Sequence, residues 1–142
     1  MKIPKRPYKF AIPCINDIRG NLSFIENESH FPFKIQRVYW IYDVPGGKTR
    51  GGYAYKKLEE IIIPLSGSFD LICINSDNEK TCFNLNRSYQ AIYVPGKTWR
   101  ELSNFSTNGV ALILASRPYE KEDYIYNYEE FEQLIKNNDL NL

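Results

Sequence analysis

Histidine is almost absent from this chain: His30 is the single one in 142 residues. A site that holds Zn, Fe or Ni through several imidazole nitrogens is therefore excluded, and the other abundant polar side chains are poor replacements. Guanidinium has no lone pair to donate, and a phenol must ionise first. No bound metal is expected. Cysteine is also scarce, and Cys14, Cys73 and Cys82 are odd in number and lack CxxC spacing. That excludes a thiolate zinc cluster and a disulfide framework, and leaves small hydrophobes in or near the strands of a reduced protein. Net charge is nearly missing, at +1 with a pI near 7.6, which argues against bulk electrostatic binding to nucleic acid or to a membrane surface. No apolar window is long enough to span a bilayer. The charged start Met1–Arg6 is not followed by the apolar run of a signal peptide, because Lys9, Pro13 and Asn16 interrupt it. A cytoplasmic protein is the simplest expectation. Neither Gly-x-Gly-x-x-Gly nor a Walker sequence occurs, so Gly46–Gly47 and Gly51–Gly52 read as turn and close-approach glycines.

What the chain does contain is strand signal. With 43% hydrophobic and 25% charged residues, it reads as one globular domain over residues 1–142, large enough to bury a core without staples. Ile35–Tyr42 is β-branched and aromatic and is closed by the turn-like Asp43–Gly47. Glu59–Leu65, Ser66–Ser68 and Phe69–Ile74 together read as a hairpin, and Ser76–Glu79 as a turn before strands over Lys80–Leu85 and Tyr89–Val94. Val110–Ala115 is apolar throughout, as in a strand buried on both faces. Short strands at regular spacing predict an all-β fold, an antiparallel barrel or jelly roll. Only the tail, 120–136, changes character, with Tyr128, Phe131, Leu134 and Ile135 falling on one face of a short C-terminal helix.

Two segments carry motif spacing. Gly47-x5-Tyr53-x-Tyr55-x4-Glu60-x6-Gly67 has the intervals of the first cupin motif, Gly-x5-His-x-His-x3/4-Glu-x6-Gly, with tyrosine at both histidine positions. Tyr93–Asn104 resembles the second motif, with Arg100 where a histidine precedes x3-Asn104. The spacing thus resembles a cupin barrel, while the substitutions remove all three histidines of the common cupin metal site.

A narrower resemblance covers almost the whole chain. Asp17–Leu22, Pro32–Asp43, Arg50–Lys56, Trp99–Leu102 and Glu122–Phe131 resemble the sugar 3,4-ketoisomerases, small cupins that act on thymidine-diphosphate-4-keto-6-deoxyglucose. The resemblance implies migration of a carbonyl from C4 to C3 through an enediol, in deoxyamino-sugar biosynthesis for a surface glycan. It also implies no metal or organic cofactor, and homodimers that exchange N-terminal strands. The family pattern at Arg50–Lys56 is Arg-Gly-x-His-Ala-His-Lys, whose first histidine is assigned as the base. Tyr53 occupies that position and Tyr55 the second. The residue after the tryptophan, Arg100 here, is His or Arg in the family and goes with product stereochemistry.

The residues leave several roles open. Tyr53 and Tyr55 alternate along one strand and face one way, whether as reaction-centre phenols or as aromatics filling a vacated metal site. A phenol acting as base needs neighbouring cations, and Arg50 and Arg100 are available. Arg100 either polarises the C4 oxygen or pairs with a carboxylate such as Glu60. Glu59 and Glu60 point to opposite faces, so Glu60 is either a buried base or an arginine partner. Arg19, Arg37, Arg50 and Lys56 are candidates for the diphosphate, with Tyr39 and Trp40 as stacking faces and Trp99 as a further substrate-binding candidate. His30, in the loop-like Asn27–Pro32, reads as a solvated residue. Two functions follow as expectations: a ketoisomerase acting on a dTDP-linked keto sugar, or a silent homologue that binds a nucleotide sugar or a pathway enzyme.

Overall fold

The computed structural model describes residues 4–27 and 29–140. Two five-stranded antiparallel sheets face one another. The first has the order β1 (Tyr8–Ala11), β9 (Gln90–Val94), β6 (Glu60–Ser66), β11 (Val110–Ala115) and β4 (Arg37–Ile41). The second runs β12 (Tyr124–Ile125), β5 (Arg50–Tyr55), β10 (Trp99–Ser103), β7 (Phe69–Ile74) and β8 (Lys80–Leu85). A separate hairpin joins β2 (Cys14–Asp17) to β3 (Gly20–Ser23), and α1 (Tyr128–Leu140) ends the described chain. This is the expected all-β barrel with a C-terminal helix.

Period-two alternation sorts the side chains. From β6, β9 and β11, Ile62, Ile92 and Ile113 point between the sheets, where they meet Phe69, Leu71, Cys73, Leu85 and Leu102. Their neighbours Ile61, Ile63, Tyr93 and Leu114 point to the opposite face, covered by Ile12, Phe31 and Phe33. On the far side of the second sheet, Ala54, Trp99 and Ile125 pack under Phe131 and Ile135 of α1. The helical face read from the sequence is the one that docks. Asn127 caps the helix, its side-chain oxygen accepting from the backbone N–H of Glu129 (2.8 Å) and Glu130 (3.2 Å).

One expected pairing is corrected. Glu59–Leu65 and Phe69–Ile74 do not form a hairpin: β6 pairs with β9 and β11, whereas β7 pairs with β8 and β10. The Ser66–Ser68 link instead carries the chain from one sheet to the other. Local turn chemistry is the same for both outcomes. What decides is burial, because β6 is buried on both faces over Glu60–Pro64 and so needs a strand on each side. Gly67 is required there, with φ +66 and an added Cβ falling 2.9 Å from the Gly109 backbone.

Phe131 is fully buried, and the rings of Trp99 and Tyr128 pack against it at a tilt. Phe131→Ala is expected to lower stability by about 3–5 kcal/mol in denaturant unfolding. A loss under about 1 kcal/mol would mean that α1 adds little to the barrel.

Candidate active site

The interior face of the barrel converges on a buried ion pair. Arg100 (β10) has no exposed surface and donates through Nε to Glu60 (β6), itself 1% exposed. Tyr39 (β4) completes the set: its hydroxyl donates to Glu60 Oε2 and accepts from Arg100 Nη2 at 2.9 Å. Burial opposes the Arg100 charge, but Glu60 outweighs it and holds the guanidinium firmly protonated. Burial first, and Glu60 second, push the Tyr39 hydroxyl far above its ordinary range, so it stays a neutral phenol. Of the two readings of Glu60, the arginine partner is the one realised. Both of its oxygens accept hydrogen bonds, Oε1 from Arg100 and Oε2 from Tyr39.

Tyr53 and Tyr55 lie over this pair from β5. The Arg100 guanidinium carbon is 4.7 Å from the Tyr53 ring centroid and 5.7 Å from that of Tyr55. Two phenols are bulkier than two imidazoles, and they roof the arginine. Arg100 therefore lies beneath the rings and is not among the residues that line the cleft between β4 and β5. Its Nη1 has no hydrogen-bond partner among the described residues. Gly51, in the left-handed region at φ +88, lets the chain pass this group: an added Cβ would sit 2.9 Å from the Arg100 carbonyl and 3.1 Å from Nη1.

Above the tyrosines, between the edge strands β4 and β5, lies a cleft of ≈ 650 Å³ edged by Arg37, Tyr39, Lys48, Arg50, Tyr53 and Tyr124. Basic and phenolic side chains converge there. A hollow of similar size, ≈ 680 Å³, lies between the N-terminal hairpin and the outer face of the first sheet, but its lining is chiefly aliphatic and phenyl with Arg87 as its single charged group.

Tyr124 is the residue that sequence reasoning missed. It lay inside the Glu122–Phe131 block, which read as a packed tail. In the register of β12 with β5, Tyr124 stands opposite Tyr55. Buried Asp123 fixes it there: its carboxylate accepts from the N–H of Lys57 and of Leu58, each at 3.0 Å, and its carbonyl accepts from Lys56 at 2.9 Å. The hydroxyls of Tyr53 and Tyr55 are 3.4 Å apart and those of Tyr55 and Tyr124 3.3 Å. Arg37 Nη1 donates to Tyr124 at 3.4 Å, with its guanidinium between the rings of Tyr39 and Tyr119. Burial, then Glu60, raises Tyr55 well above the usual phenol range.

The other candidates divide. Arg37, Tyr39 and Arg50 line the cleft, and so does Lys48, which carried no motif signal. Trp99 points the other way, into the contact with α1, because it neighbours Arg100 on an alternating strand. Arg19 stands apart on the turn of the N-terminal hairpin, paired with Asp17 at 2.8 Å and largely exposed. Lys56 is exposed just beyond β5, outside the cleft.

Removing Glu60 alone leaves Arg100 buried without a counter-charge, so Glu60→Ala is expected to cost about 3–5 kcal/mol in denaturant unfolding. The Glu60→Leu, Arg100→Met double variant should lose less than the sum of the single changes, and additivity would mean that the pair does not act as a unit.

Comparison with known proteins agrees with this architecture. Residues 8–136 match the family model described as FdtA: WxcM-like, C-terminal. A TDP-4-oxo-6-deoxy-alpha-D-glucose-3,4-oxoisomerase of Aneurinibacillus thermoaerophilus is 38% identical over 121 residues, covering 85% of this chain and 86% of that protein. A mutant of the 3,4-ketoisomerase QdtA from Thermoanaerobacterium thermosaccharolyticum, in complex with TDP-4-keto-6-deoxyglucose, superposes with a TM-score of 0.88 at 34% identity, covering 92% of this chain and 94% of that one. The TDP-quinovose 3,4-ketoisomerase WlaRB of Campylobacter jejuni gives 0.85 at 38% identity, with 92% and 99% covered. Matched along nearly all of its length, and sharing the fold of solved 3,4-ketoisomerases, this chain belongs to the FdtA, WxcM-like C-terminal family.

Proposed function

We propose that this chain is a sugar 3,4-ketoisomerase that moves the carbonyl of a TDP-linked 4-keto-6-deoxyhexose from C4 to C3, with Tyr53 as the base. The observation that carries the reading is the seat of Tyr53: its ring lies over the buried Arg100 guanidinium, at the edge of a cleft that also holds Arg37, Lys48 and Arg50. A keto group at C4 acidifies the proton on C3. As the phenolate, Tyr53 takes that proton and the electron pair forms a C3–C4 enediolate. The O3 proton passes to O4, the pair returns to C4 as Tyr53 gives its proton back there, and C3 becomes the carbonyl. No atom or electron is gained or lost.

Charge has to be offset twice, on the base and on the enediolate, and both needs are met by fixed cations in a partly enclosed site. Arg100 lies beneath the Tyr53 ring. Arg37 donates one N–H to Tyr124 and lines the cleft, where an enediolate oxygen can meet it. Lys48 and Arg50 suit the diphosphate, and Trp40 and Tyr42, also on the cleft, offer faces for the thymine ring.

The same reading includes a homodimer. Ile15, Ile18 and Leu22 on the N-terminal hairpin and Val38 on β4 are exposed in the single chain, next to the apolar hollow on the outer face of the first sheet. A second copy would cover them. Light scattering at micromolar concentration should give about twice 16.7 kDa, and a mass of one chain would end the dimer proposal.

The function is tested by incubating the protein with TDP-4-keto-6-deoxyglucose in deuterated water and following the C3 and C4 positions by NMR. The 3-keto sugar should appear with deuterium at the exchanged carbon, and Tyr53→Phe should slow it by roughly 10²–10⁴-fold. Saturable binding with no exchange would mean a silent nucleotide-sugar binder.

A further inference from the structure

Arg37 is held in the cleft by tyrosines. It opens the edge strand β4, and its guanidinium carbon lies 4.5 Å from the ring centroid of Tyr39 and 5.5 Å from that of Tyr119. Its Nη1 donates to the Tyr124 hydroxyl at 3.4 Å, and among the described residues it forms no ion pair with a carboxylate. A ring face attracts a guanidinium without consuming its N–H groups, so those not given to Tyr124 remain for an anion. An arginine loose on an edge strand would lose much rotamer freedom on meeting substrate. One already held does not.

We propose that Tyr119, from outside the cleft, is a positioning residue that holds the Arg37 guanidinium where it meets the enediolate oxygen. The proposal rests on the isomerase reading and on Arg37 serving the enediolate. Tyr119 is 57% exposed and does not line the cleft, so it acts on the substrate only through Arg37. Tyr39 is the fixed side of the seat, because its hydroxyl is engaged by both Glu60 and Arg100. Tyr119 rides on a constrained link. Pro118 precedes it with a locked φ, and Arg117 pairs with Glu120 across it at 3.6 Å. The Glu120 carbonyl then accepts from the N–H of Asp123 at 3.1 Å, the residue clamped to Lys57 and Leu58. The Tyr119 ring also meets that of Tyr124, with centroids 5.5 Å apart, and the test separates the two contacts.

Tyr119→Ala should lower kcat for formation of the 3-keto sugar about fivefold or more, with KM changed less than about twofold, since the enediolate forms only along the reaction. Tyr119→Leu keeps bulk without a π face and should fall equally, whereas Tyr119→Phe should stay within about twofold of the unmodified chain. Arg37→Met, with turnover followed over hours, should be slow. Adding Tyr119→Ala to it should cost less than about twofold more, because the cation is already gone. The proposal is overturned if Tyr119→Leu keeps kcat, or if Tyr119→Ala raises KM alone. It is also overturned if Tyr119→Ala costs as much without Arg37 as with it, which is the signature of packing on Tyr124. Full turnover by Arg37→Met is a distinct result that removes the role of the cation and the proposal with it. No turnover by the unmodified chain ends the isomerase reading itself, and the proposal falls with that reading.

Discussion

The Glu60–Arg100 pair is the constraint around which the rest of the barrel is arranged. It joins β6 of one sheet to β10 of the other in surroundings with no exposed surface for the arginine. Taking two charges out of water costs several kcal/mol per ion, and the attraction repays it only with good geometry and satisfied hydrogen bonds. Tyr39 supplies part of that by bridging the two, and the rings of Tyr53 and Tyr55 supply a favourable face for the cation. The pair thus dictates its neighbours: a hydroxyl at 39, aromatics at 53 and 55, and glycine at 51, where any side chain would collide with the arginine. Its contribution is better described as specificity of arrangement than as net stability.

Replacing two imidazoles by two phenols changes more than the proton-carrying group. Imidazole titrates near neutrality, so a histidine base is poised without help. A phenol is not, and depends on fixed positive charge close by. With Tyr53 proposed as the base, that need is matched by the cations that stand beneath and beside the tyrosines. It also separates the two phenols. Tyr55 shares the interior with Glu60 and remains neutral, while Tyr53 lies on the cleft.

Much of this was legible in the sequence. The intervals from Gly47 to Gly67 gave the barrel and the facing of Tyr53 and Tyr55, and the helical periodicity of 128–135 gave the docked face of α1. What failed was pairing. The Ser66–Ser68 turn is compatible with a hairpin or with a change of sheet, and only the two-sided burial of β6 distinguishes them. Arg19, Trp99 and Lys56 sit in the same matching blocks as cleft residues yet do not line the cleft of the single chain, because residue type does not fix direction. Trp99 sits one residue from Arg100, and strand alternation sends it to the opposite face. Tyr124 was overlooked for the converse reason. It pairs with β5 across 69 positions of sequence, a long-range contact that no local pattern announces.

The Asp123 clamp has a consequence for how the protein is made. The cleft draws its walls from β4, β5 and a strand that begins only at residue 124. A chain emerging from the ribosome can close the two sheets once β11 is out, yet at that stage Lys57 and Leu58 lack their carboxylate and Tyr55 lacks its neighbour. Barrel and site are therefore completed at different moments of synthesis. The segment that follows β11 supplies both the edge strand of the second sheet and the last wall of the cleft.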